Sequence, residues 1–190
     1  MMREKNMSMD LGKIGFAGAL SASEGWHAPA RGDYSHDEVE AAFREYVRRA
    51  NINEWDYWAD MFTEECLYVD HHFGTFRKRS EVAGWMTPLM ATQPEMKFIP
   101  EFHIIQGDKV VNYNWNRWPN PDGSHEPYDK YVEGSDNRRY RYQFPCVTLN
   151  RYGGNGLFWF EEDLYSPSAY IEILSEWKAE MEKRGRTYTK

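Results

Sequence analysis

At 190 residues and a formal net charge of -7, the chain has room for one domain with a proper core and carries no basic footprint for nucleic acid. No run of 18 apolar residues occurs, and the early apolar stretch 11–22 is broken by Lys13 and glycines, so neither a membrane partner nor a signal peptide is expected and a cytoplasmic address follows. Aromatic residues reach 16%, with 8 Trp and 13 Tyr, and so many rings must line a core, an interface or a pocket.

Residues 1–34 are rich in Gly, Ala and Ser without periodicity and read as an N-terminal arm, ordered only where it docks. Ser35 followed by Glu38 is a capping box, and Val39, Phe43, Tyr46, Val47 and Ala50 then form one apolar stripe on a first helix. Trp55, Trp58, Ala59 and Phe62 repeat the spacing on a short second helix. "CLYVDHHFG" reads as a strand, after which Ser80 caps a third helix with Val82, Trp85, Met86 and Leu89 inward and Pro88 bending or ending it. From about residue 95 the period becomes two. Stretches 97–106 and 109–118 are joined by "QGDK", and 140–151 and 157–165 by "YGGNG", so two hairpins build an antiparallel sheet. Between them residues 119–138 form a polar, turn-rich insertion that suits a lid or an oligomer contact. Ser166 and Pro167 open a last helix with Tyr170, Ile173, Leu174, Trp177 and Met181 on one side. Cys66 and Cys146 sit in apolar runs and are expected as free, buried thiols.

This order gives an α+β domain over 35–190, a curved antiparallel sheet wrapped around three to four helices to leave a pocket. "WADMFTEECLYVDHHFG", "RSEVAGWM" and "FEEDLYSP" together resemble the nuclear transport factor 2-like superfamily in its SnoaL-like branch, over roughly 35–183. The resemblance implies a cone-shaped α+β barrel, commonly a homodimer or higher oligomer, among relatives that include ketosteroid isomerase, scytalone dehydratase and polyketide cyclases, all free of cofactors, as well as plain binding proteins. Carried over from ketosteroid isomerase, the oxyanion-binding tyrosine falls on Tyr46 and the proton-moving aspartate on Asp70, whereas the acidic hydrogen-bond donor falls on Thr148 and departs from the pattern.

In a strand Tyr68, Asp70 and His72 share one face, with Val69 and His71 on the other, so Asp70 and His72 form a candidate acid/base pair and His71 a second. Arg117 has the planar fork for an oxyanion, with a salt bridge to Glu161 or Glu162 as its structural alternative. Trp85, His103, Trp115, Phe144 and Thr148 are the candidate substrate-binding residues. Asp70, His71 and His72 with His103 and the acids 161–163 supply metal-ligand types, but consecutive strand histidines diverge and make a poor chelate, so no metal site and no cofactor are expected.

The favoured expectation is a cofactor-independent lyase, dehydratase or isomerase acting on a hydrophobic, aromatic or polycyclic small molecule. Dehydration, a double-bond shift and retro-aldol loss of an aldehyde stay open. The alternatives are a non-catalytic binding or assembly module of the same fold and a metal-dependent hydrolase or oxygenase. A homodimer or homotrimer is expected over a monomer.

Overall fold

The computed structural model describes residues 20–125, 127–131 and 139–186. Residues 1–19 of the arm, and 126 and 132–138 of the insertion, lie outside the described residues. Helices α1 (20–27), α2 (His36–Ala50), α3 (Trp55–Ala59), α4 (Arg79–Ala91) and α5 (Pro167–Lys183) accompany strands β1 (Phe62–Asp70), β2 (Gly74–Phe76), β3 (Lys97–Gln106), β4 (Lys109–Arg117), β5 (Gln143–Gly154) and β6 (Leu157–Leu164). Among the described residues the strands form one sheet in the order β2-β1-β6-β5-β4-β3, antiparallel throughout except that β1 runs parallel to β6. The architecture is the mixed α+β cone that the patterning and the resemblance imply.

Capping and amphipathicity set the helices as expected, with differences that have local causes. Ser35 Oγ accepts from the Glu38 amide of α2 at 3.2 Å, but the Glu38 carboxylate does not return the bond. It accepts instead from the Tyr152 hydroxyl at 2.8 Å, tying the start of the helix to β5. Val39, Phe43, Tyr46 and Ala50 of α2 are buried. Helix α4 starts one residue before Ser80 and runs through Pro88 to Ala91. Proline removes one hydrogen bond there, yet Met86 and Met90 are buried on either side of it and Thr87 Oγ1 donates to Asp56 Oδ1 at 2.8 Å, so packing against α3 holds both halves.

Strand β1 stops at Asp70, sooner than the sequence pattern suggests. The Asp70 carboxylate accepts from the backbone amides of His72 and Phe73, both at 2.7 Å, and this side-chain turn folds β2 back onto β1. At the β5–β6 hairpin Gly154, Asn155 and Gly156 take φ of 93°, 56° and 77°, a run of left-handed residues that the "GGNG" chemistry supplies. Irregular pairing between Pro100 and Phe102 and along β5–β6 bends the sheet around its inner face.

That inner face meets α2, α3 and α4 across the main core. The outer face over β1 and β6 carries a smaller cluster, in which Ala22 of α1 packs with Leu67, Val69, Trp159 and Phe160. Here the arm docks on its own sheet. Arg151 of β5 is 1% exposed, pairs with Asp108 at 2.8 Å, and donates to the carbonyls of Gly25, Trp26 and Ala28 at 3.0, 3.0 and 2.9 Å. One guanidinium thus serves the end of α1, where the last carbonyls lack intrahelical partners, although that of Gly25 also accepts from the Ala28 amide at 3.4 Å. Gly25 admits the close approach, since a Cβ there would lie 2.1 Å from the Phe160 ring.

Replacing Arg151 by Met keeps the volume but leaves Asp108 buried without its cation, so unfolding in urea is expected at a stability lower by about 3–5 kcal/mol. Limited trypsin digestion then checks the docking: cleavage within 20–34 accelerates in Arg151→Met, and an unchanged digestion pattern would show that the arm is held without this clasp.

Candidate active site

The inner face is polar where the strands alternate inward. On β4 the residues pointing in are asparagines: Asn112 Nδ2 donates to Asn114 Oδ1 at 3.0 Å and Asn114 Nδ2 to Asn116 Oδ1 at 2.7 Å. Register carries this stripe across β5 to β6, because Asn112 pairs with Thr148 and Thr148 with Asp163. The parallel β1–β6 register places Tyr68 beside Glu161 and Asp70 beside Asp163. Opposite this polar floor stand Tyr46, Trp55, Trp58 and Met86 from the helices and Phe98 from β3.

Two cavities of about 40 Å3 each lie between floor and roof. The first is lined by Tyr46, Trp58, Tyr68, Asn112, Asn114, Thr148 and Glu161 among others. The second has Asp70, Phe144 and Tyr165 with Trp85, Leu89, Met90 and Met96. Asp163, Asn116, Met86 and Phe98 belong to both and form the partition.

The carboxyls dominate the chemistry. Asp163 Oδ2 accepts from the Tyr68 hydroxyl at 2.5 Å and Oδ1 from Thr148 Oγ1 at 2.7 Å, with the Cys146 thiol donating at 3.7 Å. Burial and the nearby Asp70 charge push its pKa up to about 6 against these donors. Glu161 accepts from Tyr46 OH and Asn150 Nδ2, both at 2.7 Å. Burial, then the charge of Asp163, hold it well above the usual carboxylate range, which favours its protonated form. Burial also raises Asp70, against the amides of Phe73 and His72 and the Tyr165 hydroxyl, which reaches its two oxygens at 3.1 and 3.0 Å. The phenols of Tyr46 and Tyr68 and the Cys146 thiol are pushed up by burial and stay protonated as donors. A group that titrates near neutrality beside one whose burial favours the protonated form is the division of labour that proton transfer needs.

The residues expected from sequence are only partly brought together. Tyr46 and Thr148 face the first cavity, and Asp70, Trp85 and Phe144 line the second. Asp70 and His72 do not pair, because the strand ends at Asp70 and alternation fails beyond it. His72 packs on Phe73 and Tyr170, with its Nδ1 buried and burial lowering its pKa. His71 turns to the outer face and meets Glu162 at 2.7 Å. Arg117 is fully buried away from both cavities: it donates to Gln143 Oε1 and to the carbonyls of Tyr128 and Lys130, and stacks 3.7 Å over Tyr140. Inward asparagines at 112, 114 and 116 put the odd residues of β4 outside, so Trp115 also faces away and donates to Glu101 at 2.8 Å. His103 bridges to Glu40 of α2 at 2.6 Å and packs against Phe43, clear of the cavities.

Tyr165 and the asparagine stripe are residues of this face that pattern reading overlooked, while Glu161, Asp163 and Tyr68 were named without a part in proton transfer. Two signals were present. "NYNWN" places amides at every second residue of a strand, and in "FEED" the first and last acids share a face. Across the ladder from Thr148, and accepting its hydroxyl hydrogen bond, stands the carboxyl of Asp163. Among the described residues, no group of three or more His, Cys, Asp or Glu is placed to hold a metal ion, and no helix is long and apolar enough to cross a membrane.

No curated protein matches the chain. Among solved structures it resembles an epoxide hydrolase of M. tuberculosis described as LEH-like, at 12% identity and a TM-score of 0.54, over 78% of this chain and 97% of that one. TerC co-crystallised with polyporic acid gives 13% identity and a TM-score of 0.54, over 73% and 98% of the two chains. A SnoaL-like protein of unknown function from Burkholderia thailandensis gives 10% and 0.51, over 70% and 98%. These likenesses show the fold. A family model for the SnoaL-like domain matches residues 43–146, more than half of the chain, and the protein therefore belongs to the SnoaL-like domain family.

Proposed function

We propose that the protein is a cofactor-independent acid/base enzyme of the lyase, dehydratase or isomerase type, with Asp163 moving the proton and neutral Glu161 supplying one. The observation that carries this reading is Asp163 itself. It fronts both cavities, its pKa sits at about 6, and three side-chain donors fix it. Tyr46 and Asn150 hold Glu161, and Asp70 contributes its charge to the tuning of Asp163 rather than a second base. The family contains proteins of this kind, and the LEH-like epoxide hydrolase shares the fold. The substrate is a hydrophobic small molecule with a polar group at the partition. Each cavity is smaller than the roughly 150 Å3 that takes up benzene, so a ring enters as Met86, Met90 and Met96 swing aside, motions that unbranched side chains allow.

A panel of aryl ketones in D2O tests this. Wild type is expected to exchange the hydrogens next to the carbonyl, Asp163→Asn to lose about 10²–10⁴-fold in rate, and Asp70→Asn to lose less than about tenfold. The rate rises with pH through about 6 as Asp163 ionises. Equal rates in wild type and Asp163→Asn would end the proposal.

A second reading, a non-catalytic binding or assembly module, draws on one observation: Asp70 is already satisfied by two backbone amides and Tyr165. It predicts ligand uptake without exchange in any variant.

Stability reports on Asp163 without a substrate. Its folded pKa of about 6 exceeds the ordinary 3.8, so the folded state binds the proton more tightly and loses stability as pH rises from about 4 to about 6. The loss attributable to this group is about 3 kcal/mol. Urea unfolding of Asp163→Asn beside wild type should show the variant gaining on wild type across that window. Parallel curves would place the Asp163 pKa at its ordinary value.

A further inference from the structure

We propose that the ligand of the two cavities is an organic cation, a protonated amine on an apolar or aromatic body, with its ammonium group at the partition facing Asp163. The proposal names the substrate class of the acid/base site above and rests on that reading for catalysis, though not for binding.

The balance of charge along the walls is the first ground. Asp70, Glu161 and Asp163 all face the cavities, and no lysine, arginine or histidine lines either of them. Basic groups nearby are engaged elsewhere. Arg117 serves Gln143 and the carbonyls of Tyr128 and Lys130, and His71 turns outward to Glu162 and acts on Asp70 less than burial and hydrogen bonds do. Buried acids without a counter-charge repel one another, and burial together with the Asp70 charge accordingly lifts Asp163. A cation at the partition supplies the opposite charge.

Unmet acceptors are the second ground, independent of the first. Asn112 in the first cavity is 4% exposed and Gln93 in the second 1%, and neither Asn112 Oδ1 nor Gln93 Oε1 finds a hydrogen-bond partner among the described residues. Each side of the partition therefore offers a carbonyl oxygen in need of a donor. A primary ammonium carries N–H donors and no acceptor, which matches such a lining. The indole N–H groups of Trp58 and Trp85 also lack partners, but Trp58 lies at 70° and 69° to the rings of Phe62 and Tyr68, and Trp85 at 67° to that of Tyr68. Crossed rings of this kind can take an N–H on a π face. A carbonyl oxygen has no such substitute.

The remaining walls determine what carries the amine. Trp55, Trp58 and Phe98 beside the first cavity, with Trp85, Phe144 and Tyr170 beside the second, supply rings that attract an ammonium and bury an apolar body. Binding then acts on the base. The positive charge opposes the Asp70 charge that lifts Asp163, so the Asp163 pKa falls and its proton leaves to solvent. The substrate ionises the carboxylate that goes on to accept its proton.

Titration calorimetry tests this with benzylamine, a cation at neutral pH, beside benzyl alcohol, its neutral counterpart of nearly the same shape. Wild type is expected to bind benzylammonium roughly tenfold more tightly, and Asp163→Asn to lose most of that preference while keeping its affinity for benzyl alcohol, which also reports that the variant is folded. Titrations repeated at about pH 6 in buffers of different ionisation enthalpy are expected to show about half a proton released per benzylammonium and none per benzyl alcohol, because Asp163 is then about half protonated. Equal affinities of wild type for the two probes, or binding of neither, would overturn the proposal and leave the acid/base reading to the ketone exchange. A preference undiminished in Asp163→Asn, or without proton release, would overturn the placement of the ammonium at Asp163. Cation preference with no ketone exchange would overturn the acid/base reading and leave the organic-cation site standing.

Discussion

The site depends on the parity of one strand. On β6, Glu161 and Asp163 point to the inner face and Glu162 to the outer, and the parallel pairing with β1 brings Tyr68 and Asp70 alongside the inward pair. Slipping β6 by one residue would send both inward acids to the outer face and carry Glu162 in. Several features hold that register. Phe158 is fully buried in the main core, Phe160 is fully buried in the outer cluster, and the hairpin's run of positive φ values determines where β6 begins.

Acids, amides and hydroxyls across an inner sheet face are a costly arrangement, because every polar group withdrawn from water needs a partner. The chain meets most of that cost internally. Asn114 and Asn116 accept from their neighbours on β4, Asn150 serves Glu161, and Thr148 serves Asp163. The tyrosines do double duty: Tyr46 and Tyr68 pack their rings among Trp58, Phe62 and each other's neighbours while their hydroxyls reach the carboxyls. The apolar roof makes the floor chemically useful, since the same burial that stabilises the rings lifts the acids out of their ordinary range.

The fold was legible because its signals are local and redundant. The α2 stripe, the glycine-rich hairpin and the Ser166–Pro167 helix start each read the same way from several residues. The site was less legible, for three physical reasons. Asp70 terminates its strand by accepting backbone hydrogen bonds, so the alternation that would have paired it with His72 stops one residue too soon. On β4 the usual sense of amphipathicity is reversed, with asparagines inside and Tyr113 and Trp115 outside, and reading aromatics as inward misplaced Trp115. Tyr46 and Thr148 were singled out for a site whose acids come from β6, a strand whose "EED" run reads as metal-ligand types or partners for Arg117 until the register is known. Arg117 shows the limit of reading residue type: its planar fork is used, but on the carbonyls of Tyr128 and Lys130.

The docking of α1 also restricts how the sheet can meet another surface. Over β1 and β6 the outer face is already stacked, by the protein's own helix, with Ala22 and Gly25 against Phe160 and Arg31 over the Trp159 ring at 4.1 Å. Over β3 and β4 it is open among the described residues, with Phe102 49% and Ile104 59% exposed and Phe102 stacked on Tyr113. Among the described residues, the room for another sheet to stack face to face on this one is therefore at its β3–β4 half.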